Sequence, residues 1–584
     1  MLPRRPDRRL SRPLPLVLLA ALAAGCAGAE GASAGPDIGA LLASNAPSAQ
    51  GSPGRFRPNG GFGAYLAGRF AASESDTGPA AEQLLRAERL APQDEEVVRS
   101  AFLAAVLDGR AEALRLARRL PDNPVAVLLV AGAEAQAGRW DRAEAQLRAL
   151  PQQQDGIAVL QPLLLAWVQA GRGQPDQALA ALRPLVEGGR ARALGALHGA
   201  MIADLAGRGP EALRLSRLSL AETGEPNLRQ IQVAGGILLR RGAEAEALRL
   251  GQRLPRGAED AALLTAGGEA SLRALFADPP VASAVEGIAE AKIAFAGALR
   301  GQGAGEFSLA MARLALRLRP ASAPALLLAA EALAEERQNA AALALLQRIP
   351  EADPLAPIGT LRRAAVLARM DRTEEAEALL RELAAARPSA PQPWARLGDI
   401  LRERRRFAEA LAAYDAAVAR LEGVRAADWT LFYARGIAAE RAGQWPRAEA
   451  DFRRALELSP DQPYVLNYLA YSWVEQGRNL EEARRMLERA VALRPRDGNI
   501  VDSLGWAHFR LGDIPRAVEL LERAVELEPR NATINDHLGD AYWMAGRLAE
   551  ARFQWRRALG LDPEPEEAER IERKLREGLA AVAR

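Results

Sequence analysis

The C-terminal part of the chain repeats at a fixed step, and that step limits what it can fold into. Gly436, Ala470, Gly505 and Gly539 stand 34 or 35 residues apart. So do Ala448, Ala483, Ala517 and Ala551, then Ala455, Ala490, Ala524 and Ala558, then Pro460, Pro495, Pro529 and Pro563. A period of about 34 with small residues at constant offsets is that of a helix–turn–helix unit. Such a unit cannot bury its apolar face alone and must stack on its neighbours. The proline cannot continue a helix, so it closes each unit. Short polar turns such as Arg510-Leu511-Gly512-Asp513 and Ala545-Gly546-Arg547 separate the two helices. Their glycines suit the left-handed backbone at a helix C-terminus.

Weaker copies precede these. Trp140-Asp141-Arg142-Ala143 follows Ala137-Gly138-Arg139, a turn-then-helix phrase. It recurs at Gly171-Arg172, Gly207-Arg208, Arg241-Gly242 and Asp371-Arg372. Residues 61–386 therefore read as paired helices of drifting period, least regular over Arg253–Ala284, where a loop or a break is expected. Strand signals are almost absent, because alternating β-branched runs are missing. The chain is 49% hydrophobic but only 5% aromatic, and rich in good helix formers. At 584 residues a single globular core would be unusual, whereas a stacked array has no such limit. Ala568, Ile571, Leu575, Leu579 and Val582 form an apolar stripe at helical spacing, so residues 564–584 read as a capping helix over the last repeat.

These residues resemble the tetratricopeptide repeat (TPR) family. One repeat carries Leu504-Gly505, Ala517, Leu521, Ala524 and Pro529, the next Leu538-Gly539, Tyr542, Ala551, Trp555, Ala558 and Pro563. An upstream repeat has Trp394, Leu397-Gly398, Leu401, Ala410, Tyr414 and Ala417, with Glu422 in place of the closing proline. The resemblance implies an all-α fold, a right-handed α-α superhelix or TPR solenoid, best formed over residues 387–563. Small residues at the eighth and twentieth positions then let paired helices approach. It also implies that the first helix of each repeat lines a concave groove through its second, fifth, ninth and twelfth positions. Those positions are Tyr464, Asn467, Tyr471 and Val474, then Asn499, Asp502, Trp506 and Phe509, then Thr533, Asp536, Asp540 and Trp543. Asn467, Asp502 and Asp536 accept hydrogen bonds, and the aromatics offer anchors for a peptide or helix. The surface is neutral to acidic, which disfavours the Lys/Arg clamp that some TPR proteins close on a C-terminal carboxylate.

The first residues read as a targeting segment. Arg4, Arg5, Arg8, Arg9 and Arg12 precede an apolar run, Leu14–Ala24, too short to span a bilayer. It ends in Leu22-Ala23-Ala24-Gly25-Cys26, which resembles the bacterial lipobox. The resemblance implies a signal peptide over 1–25 and a lipid on Cys26. With Ala27 next, it implies outer-membrane retention facing the periplasm, the alternatives being an inner-membrane anchor or a soluble periplasmic chain. Residues 26–60 are rich in Gly, Ala, Ser and Pro and read as a flexible tether. Within it Gly31-Ala32-Ser33-Ala34-Gly35 matches a hydrolase elbow, but no strand–turn–helix context surrounds it. Cys26 is the only cysteine, which excludes an internal disulfide and a CxxC metal site.

Residues 1–25 carry five arginines and one aspartate, so their removal takes the formal charge from +2 to −2. No global basic bias remains to favour nucleic acid. Lys292 and Lys574 are the only lysines. Of the three histidines, His198, His508 and His537, none has metal-ligand spacing, and no phosphate-binding glycine loop occurs. His508 falls at a packing position, whereas His537 beside Asp536 could reach the groove. An Asp–His pair with no nucleophile in view is weak support for catalysis. The expectation is a non-enzymatic adaptor without cofactor or small-molecule substrate, binding other proteins and held to the membrane by lipid. The alternative is an accessory subunit of an envelope export or polysaccharide-assembly machine, and the distant alternative an enzyme with an unrecognised site.

Overall fold

The structure, a computed structural model, describes residues 61–150, 155–189, 191–251, 253 and 259–579. The signal segment, Cys26, the tether and Val582 lie outside the described residues. Every regular element among the described residues is a helix, and the fold is all-α, built of helices that pair in sequence. The chain divides into two compact units, with the boundary between Pro393 and Trp394.

The turns explain why the helices pair. The residue two places before the second helix of a pair adopts a left-handed backbone at Gly207, Gly303, Gly443, Gly512 and Gly546. Non-glycine residues take the same slot at Arg337, Asp371 and Arg405. At Gly512 the bend is closed by Gly512 N donating to Phe509 O and Asp513 N to His508 O, both 3.0 Å. The chain then reverses, and Ile514–Leu527 packs along Gly498–Leu511.

In the C-terminal unit the small residues sit at the helix crossings. A Cβ on Gly539 would lie 2.4 Å from Trp555, on Gly398 2.6 Å from Tyr414, on Gly436 2.7 Å from Phe452 and on Gly505 2.8 Å from Leu521. Each glycine thus admits a bulky side chain from its paired helix. Ala448, Ala455, Ala517, Ala524, Ala551 and Ala558 have no exposed surface. Pro529 and Pro563 lie just beyond the Ile514–Leu527 and Leu548–Leu559 helices.

The N-terminal unit curls upon itself. The first helices of successive pairs, Pro124–Gln136, Asp155–Gly171 and Arg192–Leu205, all contact the long Ala284–Gly301 helix. Gly287 makes this possible, since a Cβ there would lie 2.2 Å from Trp167. Lys292 reaches back 164 residues to donate to Leu128 O at 3.2 Å. The buried Glu290 accepts two hydrogen bonds from Arg229, at 2.7 and 2.6 Å. Trp167 Nε1 donates to His198 Nδ1 at 2.9 Å. The irregular stretch of the sequence therefore leads into a helix that lies across the earlier repeats. Those three first helices are covered by the chain itself.

Candidate functional site

The first helices of the C-terminal unit carry the residues read as a groove, and the structure divides them into two sets. The first set stands on the Pro463–Glu475 helix, where steps of three and four place Tyr464, Asn467 and Tyr471 on one face. Tyr464 is 44% exposed, with the Arg494 guanidinium 5.8 Å from its ring centre. Asn467 is half-buried, and its Oδ1 is sealed from solvent with no hydrogen-bond partner. Tyr471 is half-buried and packs at a tilt against His537, ring centres 6.5 Å apart and planes at 38°. Burial pushes its phenol up, with Glu475 and Asp502 adding to the shift. Val474, also read into the groove, has no exposed surface.

The second set is consumed inside the chain. Asp502 is buried, and its two carboxylate oxygens lie 3.0 and 3.1 Å from His537 Nδ1. Burial disfavours a charged imidazole, but Asp502, with Asp536 and Asp540 behind it, outweighs burial and holds His537 above the usual histidine value. The Trp506 ring stacks on His537 with centres 4.1 Å apart and planes at 9°, and it also stacks with Phe509 at 4.6 Å. Trp506 Nε1 donates to Glu475 at 2.6 Å, which leaves the side chain only 9% exposed. Asp536 and Asp540 are both buried around one ammonium. Lys574 Nζ donates to Asp536 Oδ2 at 2.7 Å and Oδ1 at 2.9 Å, and to Asp540 Oδ2 at 2.8 Å. Asp540 also accepts from Trp555 Nε1 at 2.9 Å. Burial and the neighbouring Asp536 raise the Asp540 carboxyl to about 6 despite Lys574. Trp543 packs against Trp555, and a Cβ on Gly578 would lie 2.5 Å from it.

The expectation that Asp502, Asp536 and Asp540 face a ligand is therefore corrected. The Pro565–Glu577 helix lies in the next first-helix place, and its Lys574 neutralises two of the three. Trp506, held by His537, Phe509 and Glu475, is a packing residue, whereas Trp543 is part-buried between Trp555 and Arg552. Asn499 stays exposed but is tied sideways by Asn531 Nδ2, which donates to its Oδ1 at 3.0 Å. Thr533 donates to Glu567 at 2.8 Å. His508 packs partly buried, with Nδ1 3.0 Å from Asp513. Sequence reasoning missed Lys574, although one signal was available: it is a lone lysine on a helix whose other cations are arginines.

His537 and Asp502 form a pair of the kind used in acid–base chemistry, but both are sealed beneath Trp506. Among the described residues no three His, Cys, Asp or Glu side chains are grouped to hold a metal ion. No helix among them is long and apolar enough to cross a membrane. Among the groove positions, Tyr464 and Asn499 stay exposed, and Asn467 and Tyr471 are part-buried on the Tyr464 face.

Three segments, 361–424, 433–498 and 503–564, match the tetratricopeptide repeat family. A curated TPR repeat-containing protein of Pseudomonas aeruginosa is 33% identical over 90 residues, which are 15% of this chain and 15% of that protein. Among solved structures, the Cut9–Hcn1 hetero-tetramer of APC/C is 14% identical with a TM-score of 0.38, over 89% of this chain and 96% of that one. A tetratricopeptide repeat protein of Parabacteroides merdae is 17% identical with a TM-score of 0.35, over 43% of this chain and 96% of that one. YrrB, described as a TPR protein with an unusual peptide-binding site, is 19% identical with a TM-score of 0.26, over 30% and 87%.

Proposed function

We propose that this tetratricopeptide-repeat chain is an adaptor of the bacterial envelope, anchored by lipid on Cys26, that binds partner proteins through the Pro463–Glu475 face of its C-terminal unit. The observation that carries the binding reading is Asn467. Its buried acceptor has no donor in the chain, and it stands between two tyrosines, one of them 44% exposed. An unpaired buried acceptor costs about 1–3 kcal/mol, and rotation of the Asn467 amide toward the surface would let a partner's N–H reach it and recover this. A peptide backbone offers such a donor at a regular spacing, and the tyrosine rings supply apolar area beside it. In the N-terminal unit three first helices, Pro124–Gln136, Asp155–Gly171 and Arg192–Leu205, already lie against Ala284–Gly301, which favours the C-terminal unit as the binding part. The anchoring reading is supported by Leu22-Ala23-Ala24-Gly25-Cys26 after a basic, apolar leader, and by Ala27 in favour of the outer membrane.

The test places a photo-crosslinking residue at Tyr464 in native cells, with Phe553 on a second helix as control. Envelope proteins captured at Tyr464 and not at Phe553 are the expected result, with Asn467→Ala weakening the purified pair about tenfold. Equal capture at both sites, or an Asn467→Ala variant that binds as wild type, would sink the assignment. Partners that are cytoplasmic and unaffected by Cys26→Ser would sink the localisation.

A further inference from the structure

The stretch Arg253–Ala284, where the sequence loses its period, carries two short helices, Glu259–Thr265 and Gly268–Ala277. They have 7 and 10 residues. Ala356–Arg369, which packs beside the first of them, and Thr373–Ala386 have 14 each. The short pair does not fill the space its longer neighbours enclose, and a cleft of about 230 Å³ lies between them. Steps of four on Gly268–Ala277 bring Ala270 and Ala274, and Ser271 and Leu275, to its wall. Leu264 lines it from the other short helix, and the lining is apolar apart from Ser271 and Arg387.

Those two polar groups are unspent. Arg387 is half-buried just past the end of Thr373–Ala386, and its guanidinium has no carboxylate partner among the described residues. Its one hydrogen bond runs from Nη1 to Leu263 O at 3.5 Å, beyond the usual range. Nearby arginines are all paired: Arg362 with Asp260 and Glu331, and Arg273 with Glu244 and Glu269. The Ser271 hydroxyl likewise has no hydrogen-bond partner among the described residues. A guanidinium partly withdrawn from water without an anion bears a desolvation cost that a bound carboxylate offsets, and its fork matches the two carboxylate oxygens. The cation disfavours an amine. The apolar wall disfavours a sugar or polyol, whose hydroxyls would lose water there without gaining partners. The cleft is also smaller than the roughly 300–1,000 Å³ of pockets that hold drug-sized ligands, so its occupant is short.

We infer that this cleft of the N-terminal unit binds a free aliphatic carboxylate of medium chain length. The carboxylate takes hydrogen bonds from the Arg387 guanidinium and the Ser271 hydroxyl, and the chain lies against Leu264, Ala270, Ala274 and Leu275. The site is separate from the Pro463–Glu475 face and goes beyond the adaptor reading, since it gives the chain a small-molecule ligand.

The test titrates the full chain carrying Cys26→Ser, which leaves no thiol to take a lipid, with octanoate by calorimetry. Octanol, which has the chain without the charge, and acetate, which has the charge without the chain, are the comparisons. The expected result is octanoate binding with a Kd below about 1 mM, and octanol and acetate at least about tenfold weaker. Arg387→Gln should weaken octanoate about tenfold. Ala274→Phe, which fills the cleft from an exposed position, should abolish binding, with the melting of both variants unchanged. Octanol that binds as well as octanoate, or octanoate no tighter than acetate, overturns the inference in the Cys26→Ser chain alone, whatever the folding of the other variants. A folded Arg387→Gln or Ala274→Phe variant that keeps its affinity also overturns it. So does a short peptide ending in leucine that binds more tightly than octanoate and loses this on C-terminal amidation, since the cleft would then receive the end of a protein chain.

Discussion

Replacing Lys574 by methionine should open the end of the C-terminal unit, and the size of the effect follows from what it leaves behind. The ammonium sits 2.7 Å from Asp536 and 2.8 Å from Asp540, with side chains only 7%, 6% and 5% exposed. Methionine keeps most of the volume and removes the charge, so two carboxylates remain without their cation. Removing one partner of a buried ion pair costs about 3–5 kcal/mol. A second estimate starts from protons. A carboxyl that cannot stay ionised takes up a proton, at about 1.4 kcal/mol for each pH unit above its ordinary value. Asp540 already stands at about 6 beside Lys574, so keeping it protonated up to pH 7 adds about 1.4 kcal/mol to what the intact chain already bears. The broken buried pair therefore sets the loss at about 3–4 kcal/mol at pH 7, and the Asp540 proton is its pH-dependent part. The sign with pH is also fixed. Asp540 is already raised in the folded chain, and without Lys574 it rises further. A raised group contributes stability that is complete below the unfolded value of 3.8 and is lost as pH rises through the folded value. The deficit of the variant is therefore smaller at pH 5 than at pH 7. Amide exchange in Ala532–Met544 and Pro565–Glu577 is the assay, and the expected acceleration at pH 7 is roughly 10²–10³-fold. Adding Asp540→Asn should restore part of the protection. Exchange within tenfold of wild type at pH 7, or a deficit equal at pH 5 after correction for intrinsic rates, would refute the reasoning.

Three further outcomes follow from the packing. Gly539→Ala forces a Cβ to 2.4 Å from the fully buried Trp555 and should cost about 1–3 kcal/mol, read as a lower urea midpoint; an unchanged midpoint would show that the helix pair can spread. Trp506→Ala removes a ring stacked on His537 and Phe509 and should cost ~3–5 kcal/mol, whereas Tyr464→Ala, half in solvent, should cost under about 1 kcal/mol. Circular dichroism melts of the two variants distinguish packing from recognition, and equal losses would contradict the division made here. Lys292→Met should stabilise the N-terminal unit. Burial pushes Lys292 down from 10.5 to about 7, so its contribution is complete above pH 10.5 and is lost as pH falls through 7. Methionine should add roughly 3–5 kcal/mol at pH 7 and nothing near pH 10.5, and a urea-unfolding series that shows no gain at pH 7 would contradict it.

The parts of this fold that were legible from residues are those set by a neighbour one helix away. Gly539 is small because Trp555 crosses it, and Gly505 because Leu521 does. Each partner lies 16 residues on, so the requirement recurs with the period and stands out in the sequence. What a period cannot encode is a contact between copies. Asp536 and Asp540 satisfy the rule for groove positions as well as Asn467 does, and nothing within their own repeat marks them as spent. Their partner Lys574 lies 38 and 34 residues away, in the helix that takes the next place in the stack. Lys292 and Leu128 are 164 residues apart, and no repeat step brings them together. The chain does leave one trace of these contacts. It uses arginine almost everywhere at its surface, yet both of its lysines are buried, Lys292 at 1% and Lys574 at 5% exposure. A compact ammonium fits between two carboxylates or under one carbonyl, where a planar guanidinium with five donors would leave several unsatisfied. Position in a repeat thus tells which way a side chain points, and whether it is still available depends on the next first helix in the stack. By that criterion the face proposed for recognition is Pro463–Glu475, where Asn467 still lacks a donor.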